Sequence, residues 1–329
     1  MYFVLGVTLA LAAFFLLNAC FSLGVRLLLL MVRGAVSGSR PSATLFFLLR
    51  IFPACASVFF TWLLVIPSYL SLEPHGTAER MGWLLPLVAA LSAWLVASAW
   101  REAIVSWRKS RVILREWLHR SEALSLPGVE IPSYRLREAF PVVAVIGALK
   151  PRLFIAEQVL ESLNAEELSA AIQHEIGHLV ARDNLKRWLA AMCPPVLPLR
   201  AGSPSLGKLW HQATEQWADR YAVEQGKAAP LNLASALIKV SRLVPAEQPP
   251  AIPAGAYLLE QQDLPEIAGR VHALLDAADS RAAASRRADS PRIIVYGFLA
   301  SALIGLAISY SSVLVGVHEV LEKLLHFVN

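Results

Sequence analysis

A mainly α-helical, polytopic membrane protein with four transmembrane helices and one cytoplasmic α+β domain holding a small sheet is the fold class this sequence predicts. Three observations carry that prediction. The 329 residues are 56% hydrophobic and only 17% charged, with a mean hydropathy of +0.51, whereas soluble domains carry about a quarter charged residues. A purely water-soluble globule is excluded. Four segments, 1–25, 51–70, 81–100 and 293–317, contain no charged residue, and each reaches the roughly 20 residues that a helix needs to cross hydrocarbon. Between the third and fourth lies a stretch rich in Glu, Gln and Arg with helix-period patterning, which reads as the water-facing domain.

The domain plan follows: three membrane helices within 1–106, a soluble domain over 107–292, a fourth membrane helix at 293–317 and a short tail, 318–329. A signal peptide is the rival reading of the first segment, with Cys20 in a lipoprotein-like context, but no Lys or Arg precedes the apolar run. The three cysteines, Cys20, Cys55 and Cys193, stand singly and suggest neither a disulfide framework nor a thiolate metal site.

The formal net charge of +5 is explained by the membrane without nucleic acid. Arg26, Arg33, Arg40 and Arg50 fall between the first two spans; only Arg80 falls between the second and third. Arg101, Arg108, Lys109, Arg111, Arg115 and Arg120 follow the third, and Arg281, Arg286, Arg287 and Arg292 precede the fourth. Cytoplasmic loops carry the excess of Lys and Arg, so both termini are expected outside, the large domain in the cytoplasm, and the chain in the cell (inner) membrane. Anionic headgroups are a sufficient partner for these arginines.

One segment of the soluble domain carries chemistry. Asn164 followed by Glu167 fits a capping box, and Leu168, Ala171, Ile172 and Leu179 form an apolar helix stripe. On that helix His174 and His178, four apart, share a face where two imidazoles can grip one metal ion, while Glu175 beside them can reach a bound water. This is the His-Glu-x-x-His pattern of zinc peptidases. Two solvated histidines on a helix are the plainer alternative.

A catalytic zinc takes three protein ligands and keeps a fourth position for water. The best third donor is Glu215, on a second helix-period stretch that ends near Gly226, with Asp219 one turn later as acceptor for the outer N–H of a ligand histidine. His211 and Asp183 are rival third ligands. His211, Arg220 and Tyr221 stand as candidates to stabilise an oxyanion, with no choice made among them.

The Glu215-x-x-Ala-Asp219 pattern after His174-Glu175-x-x-His178 resembles the gluzincin membrane peptidases, which include HtpX and the CAAX prenyl endopeptidases. The Phe140 to Glu157 stretch, with Gly147 and Pro151, the helix to His174 and the Arg182-Asp183-Asn184 tail are more similar to the BlaR/MecR antirepressor peptidases, as are the number and order of spans. The resemblance implies His174, His178 and Glu215 as zinc ligands, Glu175 as general base and Asp219 behind a ligand. It also implies a homodimer, although the sequence itself shows no oligomeric state. One departure is large: those sensors continue into an extracellular penicillin-binding domain, and here only 318–329 follow the last span.

The expected function is thus a membrane zinc endopeptidase that cuts a protein at the cytoplasmic face, by resemblance a repressor in signal-dependent regulation. An HtpX-like quality-control protease and a non-catalytic, zinc-stabilised signalling scaffold are the alternatives, and Glu175 argues against the last because a structural zinc site needs no base. Val142 to Ile146 and Leu153 to Ile155 read as a β-hairpin, whose edge is expected to pair with an extended substrate. Leu189 to Leu199, uncharged and with three prolines, reads as a loop on the bilayer or over the site, or as core. Asp276 to Arg292 reads as an exposed basic linker.

Overall fold

The computed structural model describes residues 2–36, 42–73, 82–137, 140–147, 150–199, 205–243, 264–279 and 310–328. Three of its helical rods are long and apolar enough to cross a membrane: Tyr2–Met31, Ala43–Leu72 and Leu84–Arg120. The first belongs to α1 (Tyr2–Val36), and the second runs through α2 (Ala43–Phe60), a π-helical turn (Thr61–Val65) and α3 (Ile66–Leu72). The third is α4 (Leu84–Arg120).

These rods are longer than the charge-free segments. Arg26 and Arg33 lie within α1, Arg50 lies eight residues into α2, and Arg101 to Arg120 continue α4 without a break. The boundary expected at 106/107 therefore falls inside a helix. A charge ends an apolar window but does not end a helix, because Arg is a good helix former and can extend its head to water from the rod's surface.

The π-helical turn has a local cause. Pro67 has no N–H to give to the carbonyl four residues back; that carbonyl, on Leu63, accepts the Tyr310 hydroxyl at 2.7 Å instead. Tyr310 opens a further helix, called α11 here (Tyr310–Val328), and the Ser68 hydroxyl donates to Leu314 O at 3.0 Å. Leu321 of α11 joins Leu5, Leu9, Val65 and Tyr69 in a small core at the N-terminal end of α1. Of the fourth span expected at 293–317, residues 293–309 lie outside the described residues; the helix over the remainder runs on through the expected tail.

The opposite end of the bundle carries a second group of elements, a sheet and its helices. The sheet consists of β1 (Ser121–Leu124), β2 (Ser133–Leu136), β3 (Val143–Ile146) and β4 (Arg152–Ala156), in the order β1-β2-β4-β3. β2 and β4 are parallel, whereas β3 and β4 form the expected antiparallel hairpin with Val143 opposite Ile155 and Val145 opposite Leu153. Gly147 closes β3 at φ +109°, and a Cβ there would lie 2.5 Å from Lys150 O, so the turn requires glycine.

The helices α5 (Glu157–Ser162), α6 (Ala165–Ala181), α7 (Asp183–Met192), α8 (Leu206–Glu224), α9 (Ala229–Leu243) and α10 (Leu264–Asp279) complete the domain. The fully buried strand residues Leu153, Phe154 and Ile155 share one core with Trp117 of α4, Ala171 of α6, and Leu233 and Leu237 of α9. α8 ends at Glu224 with Gln225 as cap in right-handed geometry. Gly226 follows directly in the C′ position, without a left-handed φ.

The N-terminus of α6 is fixed by a complete capping box. Asn164 Oδ1 accepts from the Glu167 N–H at 2.8 Å, and Glu167 Oε2 accepts from the Asn164 N–H at 2.9 Å. Glu167 also binds Ser235 Oγ and Lys239 Nζ of α9 at 2.6 and 2.7 Å. Asn164→Ala removes the cap of the helix that carries His174 and His178, and a loss of about 1 kcal/mol is expected, read as a lowered unfolding midpoint of the purified protein.

Candidate metal centre

Helix α6 places His174 and His178 one turn apart on its inner face, and α8 brings Glu215 against both. The close approach of these two helices depends on Gly177. A Cβ at that position would lie 3.1 Å from the Ala218 backbone and 3.3 Å from Tyr221 Cβ, so a side chain would hold α8 away from the histidines. This glycine is one of the two unspecified positions of the His-Glu-x-x-His pattern, and its role is steric.

Glu215 Oε2 is 3.6 Å from His174 Nε2, Glu215 Oε1 is 3.3 Å from His178 Nε2, and the two Nε2 atoms are 3.2 Å apart. A tetrahedral zinc with ligands near 2.0–2.2 Å has ligand-to-ligand edges of roughly 3.3–3.6 Å. With one carboxylate oxygen of Glu215 turned toward each ring, these separations are of that size, and the three residues can hold one metal ion.

The outer nitrogens are held as well. His178 Nδ1 lies 2.8 Å from Asp183 Oδ2, and His174 Nδ1 lies 2.9 Å from Asp219 Oδ1. The hydrogen bond to Asp183 favours Nδ1 as the protonated nitrogen of His178 and leaves its Nε2 lone pair facing inward; Asp219 stands at a similar distance from His174 Nδ1 but out of line for a hydrogen bond. Asp183 thus backs His178 from the side away from Glu215, which removes it as a rival third ligand. Its position follows from the αL geometry of Arg182 (φ 56°, ψ 39°), which turns the chain sharply from α6 into α7. His211 is outside the group of three that can hold a metal.

Sequence reading missed three participants. Arg270 of α10, only 6% exposed, donates through Nε and Nη2 to Asp219 at 2.9 and 2.6 Å, and its Nη1 is 3.0 Å from Glu215 Oε2. Asn184 Nδ2 donates to Val145 O at 3.1 Å, and the Val145 N–H donates to Glu175 Oε2 at 3.3 Å. Arg270 lies 51 residues from Asp219, in a helix with no motif of its own, so no spacing could have pointed to it. Asn184 was visible only as part of a resemblance.

β3 is the last strand of its sheet, and the Val145 peptide group turns away from β4 toward Glu175. Of the oxyanion candidates, Arg220 bonds the Gln216 carbonyl on the exposed side of α8, Tyr221 stacks on Trp217 at 5.7 Å, and the carbonyl of His211 accepts from Thr214 Oγ1. These contacts distinguish none of the three for that role.

The electrostatics are those of a buried cation site. Burial disfavours charge on His178, but Glu215, together with the Asp183 and Glu215 hydrogen bonds, outweighs it and pushes the imidazole up to about 10. His174 is also raised: its desolvation is overcome by Asp219 and Glu215. Against burial, His178 and Arg270 hold Glu215 well below the usual carboxylate range, and Arg270 and His174 hold Asp219 down. Glu175 goes the other way, raised by burial that the neighbouring histidines only partly offset. Its Oε1 is buried with no hydrogen-bond partner among the described residues.

Residues 138–242 match the sequence model of peptidase family M48. The matched stretch runs from before β3 to the end of α9 and contains His174, Glu175, His178 and Glu215. The similarity supports a metallopeptidase domain. No curated protein matches the chain.

Two outcomes follow. Gly177→Val should separate α6 from α8, at an overpacking cost of about 1–3 kcal/mol, and the purified variant should retain little metal by elemental analysis. Both imidazoles must be neutral to ligate, and the surrounding acids raise the proton affinity of each in the metal-free site, that of His178 up to about 10. Loading zinc near neutral pH should therefore release about one proton, from His178, and apparent affinity should rise with pH up to about 10, where His178 loses its proton unaided. Calorimetric titration in buffers of different ionisation enthalpy measures this, and zero proton release would contradict it.

Proposed function

We propose that this chain is an integral-membrane zinc endopeptidase in which His174, His178 and Glu215 hold the metal and Glu175 is the general base. The observation that carries this reading is the grouping of the two Nε2 atoms and the Glu215 carboxylate at separations of 3.2–3.6 Å, beside the buried Glu175 carboxylate, whose Oε1 has no hydrogen-bond partner among the described residues. Zinc, when bound, supplies an acidified water and polarises the scissile carbonyl.

The chain's own residues do the rest. Glu175 accepts the water's proton and delivers it to the leaving amine; its burial raises its proton affinity toward the working pH, which suits both halves of that transfer. Asp183 and Asp219 keep the two imidazoles oriented, and Arg270 holds Asp219 and Glu215 together. An extended substrate lies along the outer edge of β3, paired toward Val143, and the Val145 peptide sets the distance between that strand and Glu175.

The domain faces the cytoplasm in this reading, by the distribution of arginines, and the protein cut there is, by resemblance, a transcriptional repressor. The match to peptidase family M48 supports proteolysis as such; the repressor rests on resemblance alone. Broad cleavage of unfolded proteins would favour a quality-control role over a signalling one.

Glu175→Gln decides the peptidase reading. The variant should keep stoichiometric zinc and lose general-base catalysis, with cleavage of an unfolded protein falling by about 10²–10⁴-fold. Retained activity in Glu175→Gln would remove Glu175 from the mechanism.

A further inference from the structure

Of the uncharged stretch 189–199, residues 189–192 are the end of α7 and the three prolines follow it. The segment with the prolines is clamped between two of the membrane helices. Asn18, fully buried in the middle of α1, donates through Nδ2 to Pro194 O at 3.1 Å, and its Oδ1 accepts from the Val196 N–H at 2.9 Å. Ser22 Oγ donates to the same oxygen at 3.1 Å. From α2, Arg50 Nη1 donates to Cys193 O at 2.8 Å.

The path of the chain can be followed along α1. After the turn, Leu199 and Leu206 join one apolar cluster with Val25, Leu29, Ala43 and Phe46. Asn18 precedes Val25 and Leu29 by seven and eleven residues, which is about 10–16 Å along the helix axis. The ten residues of α7 span about 15 Å. So α7 descends from the metal centre toward the level of Asn18, and the segment from Cys193 to Leu199 climbs back.

This is a helix-and-loop hairpin packed between two of the candidate membrane helices. Irregular backbone at membrane depth is tolerated only where protein satisfies its polar groups. Here Pro194, Pro195 and Pro198 remove three donors from the segment, and Asn18 and Arg50 satisfy three of the groups that remain.

Helix α7 connects this clamp to the site. At its N-terminus are Asp183, behind His178, and Asn184, on the Val145 carbonyl beside Glu175. Part-way along, Lys186 Nζ stands 5.9 Å over the Phe47 ring of α2, and that ring lies 5.6 Å from Trp210 of α8. The helix is short and continuous, so the hold on its C-terminal end, together with the turn at Arg182, bears on where Asp183 sits.

We propose that Asn18 and Arg50, both within the candidate membrane spans, are positioning residues of the metal centre: by clamping Cys193 to Val196 inside the bundle they fix α7, and through Asp183 they fix His178. A displacement of α1 against α2 then reaches a metal ligand through one helix, which makes the membrane bundle a control on the site. The inference rests on the zinc reading above.

The experiment uses the full-length, zinc-loaded protein and follows zinc transfer to a chromophoric chelator alongside the thermal unfolding midpoint. Asn18→Leu and Arg50→Met should release zinc about tenfold faster, at the lower end of what removing a ligand's supporting partner does. Arg50→Lys, which keeps a donor for Cys193 O, should stay closer to wild type than Arg50→Met. Leu9→Ala, in the small core at the far end of the bundle, controls for general destabilisation and should lower the midpoint without speeding release.

If both clamp variants release zinc at the wild-type rate, or if Leu9→Ala accelerates release as much as they do, the positioning role is overturned. Should the wild-type chain hold no zinc at all, the metallopeptidase reading falls and takes this inference with it; the two failures are therefore told apart by the wild-type metal content.

Discussion

Charge balance around two imidazoles is the constraint on which the rest of this domain depends. Glu175, Asp183, Glu215 and Asp219 are all at least nine-tenths buried around His174 and His178, with Arg270 as the guanidinium among them. Burying carboxylates is costly unless each is paired and hydrogen-bonded. In the metal-free protein the acids raise the proton affinity of both histidines, and a dication with neutral histidines answers the same negative charge. The site is thus electrostatically arranged to exchange protons for a doubly charged ion, and the position of each acid is set by that exchange.

Such a centre must be held by elements that do not yield. Gly177 lets α8 approach α6 closely enough for Glu215 to bridge both histidines, the capping box and the Glu167–Lys239 pair fix α6 against α9, and β3 presents a backbone group to Glu175. Arg270 is the counterweight: without it, Asp219 and Glu215 would face each other across a short gap with only the histidines between them. Each support comes from a different element, so no single helix could build the centre alone.

The membrane helices enter the same accounting. Asn18 and Arg50 are polar groups within apolar rods, where an unsatisfied donor or acceptor is expensive, and both find their partners in the backbone of the turn after α7. A bundle and a domain that the sequence divides at a charge boundary are, in the structure, joined through α4, through α7 and its turn, and through α8.

Several features were legible before any coordinates because they depend on local periodicity and local chemistry. Three of the apolar rods, the capped helix with His174 and His178 on one face, the hairpin of β3 and β4, and Glu215 with Asp219 one turn apart all follow from spacing and residue type. The sequence could not locate the ends of the rods, because helix termini depend on packing and caps more than on where the first charge falls. Nor could it show the roles of Gly177, Arg270, Asn184 and the Asn18–Arg50 clamp. Each acts through a partner 30 to 180 residues away or through the close approach of two helices. Such contacts carry no period, and only the folded chain decides which buried acid finds a cation and which unpaired carbonyl finds a donor.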